Sequence, residues 1–190
     1  TGPGHTTVAT GTYPSVHGII GNSWFDKKLN KSIYCVDDNN YFTVGSESDQ
    51  GQKSPANMLT TTLADENRIA TNFKGKTIGV AIKDRGSILS SGHTANAAYW
   101  FEGGETGNFI TSSYYLDSLP SWVQKFNSSR KIDKYLKTWN TLYDISSYIE
   151  SGPDDNNYES NFRGEKKAGF PHNFKIKSDK TGKSYYGALA

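Results

Sequence analysis

The stretch KTIGVAIK, Lys76 to Lys83, limits most what this chain can fold into. It is a near-continuous apolar run rich in β-branched residues and too short for a buried helix. Such runs are typical of strands covered on both faces, as in α/β sheets with helices packed above and below. The surrounding pattern agrees. His5 to Gly11 reads as a helix after the Gly2-Pro3-Gly4 stretch, and Ser54-Pro55 opens a longer one in which Met58, Leu59, Thr62, Leu63, Ile69 and Ala70 form one buried face, ending near Thr71. Ala97 to Glu102 and Phe109 to Tyr115 read as a hairpin across the glycine-rich turn at 103–107. Further short β pieces fall at Ser32 to Val36 and Tyr41 to Val44, and one or two helices lie between Pro120 and Trp139. Beyond Ser151, turn formers dominate. The expected fold class is therefore α/β, one partial domain over 1–190, with loop-rich excursions at about 26–52 and 103–175.

Charge and hydropathy exclude several classes of function. Twenty-one basic and 19 acidic side chains leave a net charge of +2, which lacks the dense positive field of a sequence-independent nucleic-acid binder. No apolar run approaches the roughly 20 residues needed to cross a bilayer, and no charged-then-apolar leader opens the chain. A single cysteine, Cys35, excludes an internal disulfide and a cysteine-based metal cage, and reads as a half-buried strand thiol. The abrupt ends suggest a fragment of a longer chain.

Three segments carry candidate chemistry. Thr1-Gly2-Pro3-Gly4-His5 places a hydroxyl just ahead of a helix start, where unpaired N–H groups and the helix dipole favour an anion; threonine there also serves as an ordinary cap. Asn22 follows the glycine-bent segment 10–21 and offers an amide with two donors, or a plain turn residue. Lys83-Asp84-Arg85-Gly86 sets two cations two residues apart at the C-terminal end of the best strand, suited to a dianionic phosphoryl group or simply solvated beside Asp84. On the strand reading, both cations point the same way. The four histidines, His5, His17, His93 and His172, are scattered and form no zinc-ligand spacing; His5 and Asp37-Asp38 read as structural or solvated, and His17 as packed in its turn.

Order and spacing of these segments resemble the alkaline phosphatase superfamily, in the threonine-nucleophile branch shared with type I phosphodiesterases/nucleotide pyrophosphatases. Thr1, Pro3 and His5 match that branch's start, Thr10, Gly11, Pro14, His17, Gly18 and Ile19 its next motif, and Asn22 its amide position. Looser similarity runs through Ala98 to Phe101, Phe109 to Ser112 and Gly169 to His172. The resemblance implies that Thr1 is the nucleophile, contacting zinc as an alkoxide, and that Asn22, Lys83 and Arg85 are phosphoryl ligands. The Lys83/Arg85 pair resembles that of the monoesterase members, so phosphate monoesters are the implied substrates. It also implies two Zn2+ ions in the full-length protein, whose other ligands fall outside this chain, so that the fragment alone binds none and is inactive. Periplasmic or secreted location follows from the same resemblance. Two alternatives stay open at this point: a phosphodiesterase/nucleotide pyrophosphatase on the same scaffold, and a non-catalytic carbohydrate- or cell-surface-binding domain using some of the 12 tyrosines and 4 tryptophans as stacking platforms.

Overall fold

The computed structural model describes residues 1–104, 106–162 and 165–174. Its residues divide into two compact units, one comprising Thr1–Phe101 with Asn108–Lys125 and the other Glu102–Gly107 with Phe126 onward. The first unit carries a four-stranded mixed sheet ordered β3-β6-β5-β4, from β3 (Thr43–Val44), β4 (Ile78–Ala81), β5 (Ala97–Phe101) and β6 (Phe109–Ser112). β4 and β5 run parallel, joined by a crossover containing a helix, α4 (Asp84–Ser91), whereas β5–β6 and β3–β6 are antiparallel. The expected α/β class and the β5–β6 hairpin, registered Trp100 to Ile110, are present. A separate hairpin pairs β1 (Ser23–Asp26) with β2 (Lys31–Tyr34).

The strand buried on both faces is β5, not the KTIGVAIK run. All five β5 residues are buried: Ala98 and Trp100 pack with Ile19, Cys35, Val36, Met58, Ile88, Leu89 and Ile110, while Ala97 and Tyr99 pack with Val44, Leu119 and Val123. β4 is an edge strand among the described residues. Its Gly79 and Ala81 face α4, so closely that a Cβ on Gly79 would fall 1.9 Å from Ser91 Oγ. The other face, with Ile78, Val80 and Ile82, is 55, 62 and 49% exposed. Apolar composition foretold a sheet strand correctly, but which strand is central depends on pairing, which composition does not encode.

Helices depart from expectation for local reasons. The first, α1 (Gly2–Thr10), starts three residues early because the Thr1 hydroxyl caps it by accepting from Gly4 N–H at 3.2 Å. A short helix, α2 (Pro14–His17), follows. The helix expected from Ser54 to Thr71 is only α3 (Leu63–Ala70), since Thr62 and Asp65 form a capping box that fixes its start. Of the residues expected on its apolar face, Met58 and Thr62 are buried, whereas Leu59, Leu63 and Ile69 are 74, 78 and 49% exposed and Asp65 is inside. Segment 26–52, expected as an excursion, contributes Cys35, Val36 and Val44 to the core and β3 to the sheet. Between Pro120 and Trp139 lie α5 (Ser121–Ser128) and a 3-10 turn at Lys131–Tyr135; α5 buries Val123 and leaves Trp122 exposed against the edge of Tyr99.

Asp65 anchors the loop that leads to β5. Its carboxylate accepts from Thr62 N–H and Oγ1 at 2.9 and 3.0 Å and from Thr94 N–H and Oγ1 at 2.7 and 2.8 Å. Burial alone would raise its pKa, but these hydrogen bonds, with one from the His93 N–H, hold it below the ordinary value of 3.8. A depressed folded pKa contributes stability that is present above the unfolded value and lost as pH falls through the folded one. Asp65→Asn in the complete protein is expected to cost about 2–3 kcal/mol at pH 7, because an amide nitrogen would face donors. The gap between the two thermal midpoints should narrow below about pH 4; a gap independent of pH would refute the assignment.

In the second unit, Trp139 of a two-residue strand, β7 (Thr138–Trp139), stacks edge-on against Phe170 and lies among Phe162, His172 and Phe174. β7 pairs with β8 (His172–Asn173), and buried His172 meets Glu165 Oε2 at 2.8 Å through Nδ1. Among the described residues regular structure is sparse beyond Ser151, as the turn-forming composition implies.

Candidate active site

Two helix starts and one turn converge in the first unit. Gly2, the first residue of α1, donates its N–H to Asn22 Oδ1 at 2.6 Å. That N–H is one of the donors a helix start leaves unpaired, so α1 and the asparagine satisfy each other. A backbone donor also fixes the amide's orientation: Oδ1 faces Gly2, and Nδ2 keeps its two donors for another partner. Thr1 is the neighbouring residue, exposed, with the capping bond from Gly4 N–H on its hydroxyl oxygen. Since a hydroxyl oxygen has two lone pairs, capping the helix does not exhaust it.

Close packing draws these groups together. A Cβ on Gly2 would lie 3.1 Å from Cys35 Sγ and 3.4 Å from Asn22 Oδ1, and Cys35 N–H donates to Asn22 O at 2.9 Å. Buried Cys35 has its thiol pushed up to about 11, chiefly by burial, so it stays protonated near neutrality; it lies just past the end of β2 and is fully buried, not half-buried as the sequence suggested. His17 is fully buried; its Nδ1 accepts from Ile19 N–H at 3.2 Å, which leaves Nε2 to donate to Thr7 Oγ1 at 3.1 Å. Burial lowers its pKa, and it packs in the turn rather than reaching a ligand. Asp37 pairs with Lys53 at 2.5 Å and Asp38 accepts from Ser54 Oγ at 2.6 Å, so both are structural.

The second helix start is that of α4. Lys83 is its exposed N-cap residue and Arg85 lies in its first turn, so the two cations do not alternate along a strand as the sequence suggested. Gly86 lets α4 approach α1: a Cβ there would sit 3.7 Å from His5 Nε2. His5 feels the proximity, its pKa lowered by partial desolvation and by the Arg85 cation. Arg85 is held from the side by a residue the sequence reading did not single out. Arg85 Nη1 donates to the Tyr34 hydroxyl at 2.9 Å, and that hydroxyl donates to Asp84 Oδ1 at 2.7 Å. Tyr34 stands 50 and 51 positions from these partners, and no local pattern marks it.

The structure thus brings Thr1 and Asn22 together at the start of α1 and sets Lys83 and Arg85 at the start of α4, a helix packed against α1. No cluster of three or more His, Cys, Asp or Glu able to hold a metal occurs among the described residues, nor a helix long and apolar enough to cross a membrane.

Comparison with known proteins gives a consistent picture. Residues 1–172 match the family model for type I phosphodiesterase/nucleotide pyrophosphatase. The chain is 51% identical over 178 residues to alkaline phosphatase PhoV of Synechococcus elongatus, covering 93% of this chain and 32% of that protein. It is 45% identical to alkaline phosphatase PafA of Elizabethkingia meningoseptica, covering 89% of this chain and 31% of PafA. The crystal structure of wild-type PafA superposes with a TM-score of 0.86, covering 90% of this chain and 33% of that one. A second solved PafA, with substitutions at one threonine, one asparagine, one lysine and one arginine, gives 0.89 at 40% identity, covering 99% of this chain and 35% of that one. The chain therefore spans about a third of the length of the curated relatives it matches.

Proposed function

The chain belongs to the type I phosphodiesterase/nucleotide pyrophosphatase family, and from that we propose that the protein containing it is an alkaline phosphatase hydrolysing phosphate monoesters through a phosphothreonine at Thr1. The observation that carries the reading is the 2.6 Å bond from Gly2 N–H to Asn22 Oδ1, which ties the asparagine amide to the first residue of the helix that Thr1 caps. The substituted PafA supports it. There the threonine and asparagine are separated by as many positions as Thr1 and Asn22, and the lysine and arginine, like Lys83 and Arg85, are two apart.

In this mechanism Thr1 Oγ attacks phosphorus in line, the bond to the leaving alkoxide breaks, and water later cleaves the phosphothreonine. Asn22 Nδ2 donates to one non-bridging oxygen. Lys83 and Arg85 neutralise the others as charge builds up, with the guanidinium fork matching two oxygens at once. Little covalent chemistry is asked of the chain beyond the threonine; positioning and electrostatics do the rest. The family resemblance adds two zinc ions, which when bound supply Lewis-acid activation of the hydroxyl and of the hydrolytic water. Of this chain, the Thr1 hydroxyl is the group proposed to touch metal, through the lone pair that capping leaves over. The other ligands are proposed to come from polypeptide outside the chain, so the isolated chain is expected to be inactive. Periplasmic or secreted location belongs to the same proposal.

A diesterase is less well served by this site, since a diester carries one charge fewer to meet two cations. The binding-domain alternative finds little support in the aromatics, because Trp100 is core and the exposed Trp122 and Trp139 meet Tyr99 and Phe170 edge-on instead of forming coplanar platforms. In the complete protein, kcat/KM for an aryl phosphate monoester is expected to exceed that for the matching diester by about 10²-fold or more. Steady-state rates on the pair decide it, and a preference for the diester would sink the assignment.

A further inference from the structure

We infer that Tyr34 is a positioning residue for Arg85: its hydroxyl stands between the Asp84 carboxylate and the Arg85 guanidinium, spaces that ion pair at 3.8 Å and keeps the guanidinium from closing onto its neighbour through a direct hydrogen bond, so that its fork stays set for the phosphoryl group. The inference rests on Arg85 being a phosphoryl ligand, as proposed above.

Polarity of the bridge follows from chemistry. A guanidinium only donates and an ionised carboxylate only accepts, so the tyrosine oxygen receives Arg85 Nη1–H at 2.9 Å and sends its own proton to Asp84 Oδ1 at 2.7 Å. With the hydroxyl interposed, Asp84 Oδ1 and Arg85 Nη1 stay 3.8 Å apart, beyond hydrogen-bond reach. Asp84 is also held from behind, because the same Oδ1 accepts Arg85 N–H at 2.7 Å. Without the hydroxyl, Nη1 could close the 3.8 Å gap to this carboxylate and donate to it directly, which would turn the guanidinium toward Asp84 and strengthen the pairing that competes with the phosphoryl group. One of five guanidinium N–H donors is used on Tyr34, which leaves four and an intact fork.

The tyrosine is itself held in place. It ends β2, packs against the main core cluster, and carries Lys53 Nζ 5.4 Å above its ring while Lys53 pairs with Asp37. Burial first, and then the bond to Asp84, raises its pKa well above the ordinary 10, so the hydroxyl keeps its proton through the alkaline range.

Four forms of the complete protein test the inference: unmodified, Tyr34→Phe, Arg85→Ala and the double variant. Each is assayed for hydrolysis of an aryl phosphate monoester and for inhibition by inorganic phosphate. Tyr34→Phe removes one oxygen and keeps the ring, so its thermal midpoint should stay within a few degrees. It is expected to lower kcat/KM and weaken phosphate inhibition by about ten- to thirtyfold, the range for a hydrogen bond to a charged group, and to have no effect once Arg85 is alanine. Adding Asp84→Asn to Tyr34→Phe should restore most of the loss by removing the competing charge. A Tyr34→Phe effect equal in both backgrounds, or none while Arg85→Ala is severely impaired, overturns the positioning role and leaves the phosphatase reading standing. An Arg85→Ala form as active as the unmodified protein overturns that reading too.

Discussion

Replacing Thr1 with alanine in the complete protein is expected to lower kcat for a phosphate monoester by about 10⁴-fold or more, the scale on which removal of an activated nucleophile acts. No other side chain in the neighbourhood can take over. Thr6 is buried and donates to Gly2 O at 3.0 Å, Thr7 is engaged by His17, and the Cys35 thiol stays protonated under burial. The same substitution removes the cap of α1, a loss of about 1 kcal/mol, too small to account for such a drop in rate. Thr1→Ser separates the effects, because it keeps both cap and nucleophile and should retain activity within about tenfold. Acid quench during turnover should recover phosphorylated protein from the unmodified and Ser forms and none from the Ala form. Comparable turnover by the Ala form would remove the threonine from the chemistry.

Arg85→Ala is expected to have the next largest effect, a fall of about 10²- to 10³-fold in kcat/KM for the monoester. The guanidinium meets charge that grows as the phosphoryl group is transferred, so kcat should fall along with affinity for inorganic phosphate. The diester, with one charge fewer, should lose distinctly less. Lys83→Ala should act in the same direction but more weakly, since an exposed ammonium at the N-cap of α4 is more screened than the partly buried Arg85. Parallel kinetics on both substrates check the pattern. Equal losses on monoester and diester would mean that Arg85 does not read the second charge.

These outcomes bear on residues that the sequence already named, and the reason they could be named is chemical. Hydroxyl, amide, ammonium and guanidinium are few, and their order along the chain matches a known motif. What the sequence did not reveal was how they are carried. Arg85 was expected on a strand end but sits in α4, a helix hidden by Gly86 and by Ser87, Ser90 and Ser91, which are weaker helix formers than alanine or leucine. α4 forms because its Ile88 and Leu89 are buried against β5, a tertiary reason invisible in a local window. The opposite error arose at Ser54 to Thr71, where apolar spacing suggested a long helix; three consecutive threonines and the Thr62/Asp65 box delayed its start. Tyr34 was missed because its role exists only across a 50-residue separation. The β5–β6 hairpin was legible since its turn, its strands and its partner lie within one short stretch.

The open side of β4 has a practical consequence for anyone handling this chain as an isolated piece. Among the described residues one edge of β4 pairs with no strand, and the face beside it exposes Ile78, Val80 and Ile82, a combination on which a second molecule can add. Material prepared in this form is expected to self-associate through that edge, and its solubility will report on the exposed strand more than on the integrity of the fold.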